Sequence, residues 1–271
     1  SLKFDKNASS SVVSFGDKRI RIWCPSGSID DSTLEELPGD LTLEGMKTEI
    51  GNLDSMQCGD LLTESELGDL RKQCRVIPSR WVTTRKNASL VRARIVLKDI
   101  AKGAESARSL GISSPTPSAE ALFAMLCFAG ERDWLVGAAD ISAAFMATPL
   151  RTRKVVAKLP ASITSISGEA LYLWLSKALN GLRSASQEWN VYLSSIVDKC
   201  RLRSCGLEPC LYSGLLPSSE PCMILSYVDD LICVGPSVDA IDFVFDTVGK
   251  SVRLKRTGLI HDHSKGGQLR F

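Results

Sequence analysis

The 271-residue sequence has no apolar run approaching the roughly 20 residues that a membrane-spanning helix needs. Its opening Ser1-Leu2-Lys3-Phe4-Asp5-Lys6 has no apolar core behind it, which excludes a secretory signal at this end. An initiator Met is also lacking, so a fragment of something longer is expected. There is no CxxC pair, and the evenly spaced Cys200, Cys205 and Cys210 have no His partner, which argues against a zinc site. Nine cysteines, an odd number scattered through apolar stretches, read as free buried thiols in a reducing compartment. With those classes set aside, 44% hydrophobic and 24% charged residues describe an ordinary globular chain. Its length suits one large or two modest domains with a sizeable core.

The net charge of +2 conceals an asymmetry. From Asp30 to Asp69 twelve acids face one base, Lys47. From Arg71 to Arg108 eleven bases face only Asp99 and Glu105. Such a basic block is an electrostatic footprint for phosphate or nucleic acid. The alternative is a solvated basic face that pairs with the acidic segment before it.

Apolar spacing sets the expected elements. Val12–Phe15 and Ile20–Trp23 read as short strands, and residues 26–40, rich in Ser, Asp, Gly and Pro, read as a linker. Leu43–Leu53 has helical spacing. Strands are expected at Ser79–Thr84 and Leu90–Leu97, joined by a turn at Lys86-Asn87. Arg92 and Arg94, two apart, then share one strand face, opposite Val91, Ala93 and Ile95. Two guanidiniums over an apolar back would clamp a triphosphate, although a plain solvent-facing pair fits equally well. Ser118 is placed to cap a helix that Gly130 ends. Trp134–Ala139 reads as a buried strand closed by Asp140, Val155–Pro160 and Leu171–Trp174 as a strand pair, Asn180-Gly181 as a turn. Ser186–Cys200 and Val238–Val248 read as amphipathic helices, and Gly266–Phe271 as a strand cut short.

The sharpest local signal is Tyr227-Val228-Asp229-Asp230 between the apolar runs Cys222–Leu225 and Leu231–Val234, which reads as a β-hairpin. Two adjacent carboxylates at its tip repel each other and resist desolvation unless a cation is present. Hard oxygen ligands suit Mg²⁺ or Mn²⁺. Asp favours turns in any case, so Asp140, at the end of a buried strand, is the third acid that the metal reading requires.

Four blocks in order resemble the reverse transcriptase of Ty1/copia-type long-terminal-repeat retrotransposons, from about Met46 to the C-terminus. They are Ser79-Arg80-Trp81-Val82 with Arg92-Ala93-Arg94-Ile95-Val96; Asp140-Ile141-Ser142-Ala143-Ala144-Phe145-Met146; Lys177-Ala178-Leu179-Asn180-Gly181-Leu182 with Trp189; and Tyr227-Val228-Asp229-Asp230-Leu231-Ile232. The resemblance implies an α+β right-hand polymerase: fingers and palm, an antiparallel palm sheet covered by helices, and no thumb. Residues 1–44 would be an N-terminal extension or linker of unknown function, 45–134 mainly fingers and 135–271 mainly palm.

It also implies an RNA-directed DNA polymerase, a nucleotidyltransferase cut from a retrotransposon polyprotein. Asp140, Asp229 and Asp230 would be catalytic, holding two Mg²⁺ (or Mn²⁺) ions with the backbone carbonyl of Ile141. Arg92, Arg94, Phe145, Ser184 and Gln187 would meet the incoming nucleotide, Phe145 by excluding a ribose 2′-hydroxyl. Tyr227 and Lys98 would lie along primer and template. The implied partners are an RNA template, a DNA primer, deoxynucleoside triphosphates and the ribonuclease H and integrase regions of the same polyprotein, with no membrane. The implied location is cytoplasmic retroelement particles or the nucleus.

The sequence departs from the family at three places. Ser184 stands at the family's Gln, Ser186 at its Pro, and Gln187 comes three residues late. Ser142-Ala143 replaces Lys-Thr, and Ala147-Thr148 replaces Asn-Gly. One lost nucleotide hydrogen bond would weaken binding by about 1 to 2 kcal/mol. These departures keep open a catalytically impaired remnant that only binds nucleic acid. A metal-dependent nuclease fits the carboxylates but not the order of the other blocks.

Overall fold

The computed structural model describes residues 9–100, 115–151 and 154–260. The expected terminal strand Gly266–Phe271 lies outside them. The chain divides into two compact units, residues 1–105 with 149–185, and 106–148 with 186–271.

The first unit opens with a hairpin, β1 (Ser10–Phe15) and β2 (Lys18–Trp23), followed by helix α1 (Gly39–Ser55) and strand β3 (Gly59–Thr63). A one-turn helix α2 (Glu64–Leu67) has a complete capping box between Thr63 and Glu66. Strands β4 (Arg75–Asn87) and β5 (Leu90–Leu97) follow. After β6 (Leu135–Ile141) of the second unit, β7 (Val155–Lys158), β8 (Ile163–Ser165) and β9 (Leu171–Leu175) complete this unit. One sheet runs β3-β9-β7-β4-β5 and another β1-β2-β8. The expected β7–β9 pair is present and antiparallel, but β7 also pairs with β4 in parallel. The β4–β5 turn falls at Ala88-Ser89, two residues beyond the expected Lys86-Asn87, because an irregularity near Asn87 prolongs the ladder.

Residues 26–40, expected as a linker, are tied down. Asp30 is 2% exposed. Its carboxylate accepts from the Ser32 hydroxyl and from the backbone N–H groups of Arg85 (2.6 Å) and Ser32 (2.7 Å). These donors, the Ser32 hydroxyl foremost, hold its pKa well below the usual carboxylate range. Asp31 accepts from Thr83 N–H at 2.8 Å and pairs with Arg80 at 2.6 Å. Composition suggested a linker; the Asp side chains instead saturate a turn against β4. Glu64–Arg71 and Asp69–Lys72 pairs add to this, so the acidic block partly neutralises the basic one, and Arg75 pairs with Asp99 inside the basic block itself.

The second unit comprises α3 (Ala119–Glu131), β6 (Leu135–Ile141), one-turn α4 (Ala144–Ala147), α5 (Ala185–Val197), β10 (Arg203–Ser204), β11 (Leu211–Leu215), β12 (Pro221–Tyr227), β13 (Asp230–Gly235), α6 (Val238–Gly249) and β14 (Leu254–Ile260). Ser118 caps α3, its hydroxyl accepting from Ala121 N–H at 3.1 Å. The helix runs one residue past the expected stop at Gly130. The sheet, β10-β11-β12-β13-β6-β14, is antiparallel throughout. On one face Met125 and Ala129 of α3 pack on Val136, Leu225, Ile232 and Val234. On the other lies α6, and Gly137 makes that close approach possible. A Cβ there would meet Ile241 Cγ2 at 2.8 Å and Phe245 Cε2 at 3.0 Å.

Candidate active site

The hairpin forms as expected, β12 and β13 meeting at the Tyr227↔Asp230 pair over a two-residue turn, Val228-Asp229. Val228 takes φ +53°, unusual for a β-branched residue. Its carbonyl is held by Trp189 of α5, whose indole N–H donates to it at 2.6 Å. Sequence reasoning placed Trp189 in a core stripe. It is indeed 3% exposed, but its polar atom also tethers the turn.

Strand register then aligns the chemistry. Asp230 stands opposite Asp140 across β13 and β6, and Asp140 stands opposite Lys255 across β6 and β14. Directly opposed residues present their side chains to the same sheet face. Tyr227, Asp230, Asp140 and Lys255 therefore form one row across four adjacent strands. It continues the face that α3 covers farther along at Val136, Ile232 and Val234. The Ile141 amide donates to Asp229 O at 2.7 Å, fixing the turn against the end of β6. Lys255 had no signal in the sequence, because β14 lacks an apolar pattern of its own.

Burial, followed by the charges of Asp229 and Asp140, raises the Asp230 pKa. A hard cation would relieve the opposition that the other two charges set up at Asp230. Among the described residues no three His, Cys, Asp or Glu side chains converge to hold an ion in common. The oxygen-only donor set of Asp140 and Asp229, with this surplus of negative charge, nevertheless fits Mg²⁺ or Mn²⁺.

The other expected site residues are distributed over both units. Phe145 is half-buried on α4 and Gln187 half-buried in the first turn of α5, both in the second unit. Tyr227 is 55% exposed. In the first unit Arg92 and Arg94 alternate with buried Val91, Ala93 and Ile95, as their spacing required, and Lys98 is exposed just beyond β5. Ser184 is 3% exposed, and its hydroxyl finds no hydrogen-bond partner among the described residues.

The profile of the reverse transcriptase (RNA-dependent DNA polymerase) family matches residues 64–264. The chain belongs to that family. Among curated proteins, this reverse transcriptase domain is 23% identical over 197 residues to the retrovirus-related Pol polyprotein from transposon TNT 1-94 of Nicotiana tabacum. The match covers 71% of this chain and 15% of that polyprotein, so the domain spans only a small part of its relative. It is a reverse transcriptase domain of the Ty1/copia type, as the four blocks implied. Among solved structures, it is similar to apo telomerase from Candida tropicalis truncated from its C-terminal domain, with TM-score 0.46, 12% identity, 89% of this chain and 59% of that one. Telomerase from Candida albicans in complex with a TWJ fragment of telomeric RNA gives TM-score 0.47 at 10% identity, covering 80% and 46%.

Proposed function

We propose that this domain is an RNA-directed DNA polymerase that extends a primer 3′-hydroxyl with deoxynucleotides on an RNA template. The observation that carries the reading is the row Tyr227–Asp230–Asp140–Lys255 beside the Asp229 turn. In the reaction the primer 3′-oxygen bonds to the α-phosphorus, the bond to the bridging oxygen breaks, and pyrophosphate leaves as the hydroxyl proton is lost. Asp140 and Asp229 would hold two Mg²⁺ or Mn²⁺ ions, with the Ile141 carbonyl beside them. Bound there, the ions supply acidification of the 3′-hydroxyl and neutralisation of phosphate charge.

The chain's own residues do the positioning. The turn, fixed by Trp189 and Ile141, sets Asp229. Asp230 and Asp140 are set by the ladder, and Lys255 supplies the one positive charge in their row. Arg92 and Arg94 would bind the triphosphate, Phe145 would exclude a 2′-hydroxyl, and Tyr227 and Lys98 would contact primer and template. Fingers for the β4–β5 region and palm for the six-stranded sheet follow from the same reading. So does an origin in a polyprotein carrying ribonuclease H and integrase, acting in cytoplasmic particles or the nucleus.

The test is deoxynucleotide incorporation on a primed RNA template with Mg²⁺ or Mn²⁺. Incorporation is expected, and Asp229→Asn or Asp140→Asn should lower it by at least about a thousandfold, the scale of removing a principal transition-state contact. Salt-dependent primer–template binding with no incorporation would support a nucleic-acid-binding remnant instead.

A further inference from the structure

β5, the strand that carries Arg92 and Arg94, lies at the edge of its sheet. Only β4 pairs with it, so on the other side the backbone groups of alternate residues point away from the ladder. Helix α1 covers this edge. At Gly45 the helix comes so close that a Cβ would meet Val91 O at 2.4 Å and Ala93 N at 3.2 Å. One helical turn later Glu49 reaches the next open group, accepting the Ile95 N–H at 3.0 Å. Four helical residues rise about 6 Å and two strand residues about 6.6 Å, so the two elements stay in step along the edge.

Glu49 is 5% exposed, an unusual position for a carboxylate. Burial pushes its pKa up; the Ile95 N–H and then the Arg94 and Arg92 charges act in the opposite direction. A buried acid that engages the backbone between two arginines and the helix is more than a filler. A leucine would cover the same apolar surface without a desolvation penalty, but it would leave the Ile95 N–H without an acceptor.

We infer that Glu49 is a positioning residue for nucleotide binding: it locks the free edge of β5 so that Arg92 and Arg94 are presented as a preformed anion clamp. This rests on the reading of those arginines as triphosphate ligands. Glu49 itself touches no substrate. It acts through the Ile95 amide, the neighbour of Arg94 in the chain, by fixing the strand backbone that carries the two guanidiniums.

The experiment compares the wild-type chain with Glu49→Ala, Glu49→Gln and Glu49→Asp. Amide exchange of β5 is read by mass spectrometry, and KM and kcat for Mg-dNTP are read on a primed template. Gln keeps an oxygen that can accept from Ile95, whereas Asp is too short to reach and is a smaller perturbation should Ala fail to fold. Ala and Asp are expected to speed exchange at Ile95 by about tenfold or more. They should raise KM for the nucleotide about tenfold with kcat changed less than about twofold, and Gln should restore most of both. Unchanged exchange in Ala and Asp, a parallel fall in kcat and kcat/KM, or failure of Gln to restore either readout would overturn the inference. The clamp reading has its own control. If Arg92→Ala and Arg94→Ala leave KM unchanged, the clamp is refuted and the link to it falls, whatever the exchange data show. If those variants raise KM while Ile95 exchange ignores Glu49, the role of Glu49 alone is refuted.

Discussion

Val228 is the residue at which fold and chemistry pull in opposite directions. A β-branched side chain at φ +53° costs on the order of 2 kcal/mol, and only the surrounding structure keeps it there. The Trp189 indole on its carbonyl and the Ile141 amide on the next one are that structure. Replacing Val228 with Gly removes the strain but adds about 0.8 kcal/mol of unfolded-chain entropy, leaving a net gain near 1 kcal/mol. The thermal midpoint of Val228→Gly is therefore expected to rise by about 2 to 4 °C. The same change loosens the turn that sets Asp229, so single-turnover incorporation should slow. Scanning calorimetry and a quench-flow assay would check the two halves, and a fall in the midpoint would contradict the strain argument. The places of Asp140, Asp229 and Asp230, at the end of a buried strand and at the tip of a hairpin, were legible in the sequence because the apolar runs that they close set the strands. Val228's strain, the Trp189 tether and Lys255 were not legible. Each depends on register or on a backbone angle that no residue type announces.

Among the elements, the segment from Ser26 to Leu37 shows how composition misleads. Ser, Asp, Gly and Pro fit a mobile connection, yet the same Asp side chains form a turn that pins β4 through Thr83 and Arg85. The strongly periodic elements α1, α3, α6, β5 and the β12–β13 hairpin were legible, whereas β3, β8, β10 and β14 are short or mixed and take their form from the ladders they join. The segment's anchoring carries a pH dependence. Asp30 is held below its usual pKa by the Ser32 hydroxyl and the Arg85 amide, and Glu66 is brought to about 2, chiefly by Lys18. A depressed folded-state pKa means that the unfolded chain binds protons first as acid is added. The stability these groups contribute is present above about pH 4.5 and is lost as pH falls toward 2. Asp30→Asn should flatten that acid limb in a urea-denaturation series across about pH 2 to 6 while reducing stability at neutral pH. An unchanged acid limb would mean that the turn is not anchored through its charge.

At the scale of the molecule, the question is how much of the basic block faces nucleic acid. The sequence offers eleven cations between Arg71 and Arg108. If all of them met phosphates, the salt dependence of binding would approach a slope of about −10, at roughly 0.9 per duplex phosphate. The fold commits several elsewhere. Arg71 pairs with Glu64, Lys72 with Asp69, Arg75 with Asp99 and Arg80 with Asp31. Arg85, Lys86, Arg92 and Lys98 have no ion pair among the described residues, so these four should contribute a slope of about −3 to −4. Changing those four to Gln is expected to make the log K against log salt line for a primer–template about 3 units shallower. Changing Arg71, Lys72, Arg75 and Arg80 to Gln should leave the slope within about 1 unit and lower the thermal midpoint instead, chiefly through Arg75, whose partner Asp99 is fully buried at its side chain. Equal slope changes from both sets would mean that the ion pairs open on binding and that the whole block follows the backbone. The distinction separates a basic surface that serves nucleic acid from one that first holds its own fold together.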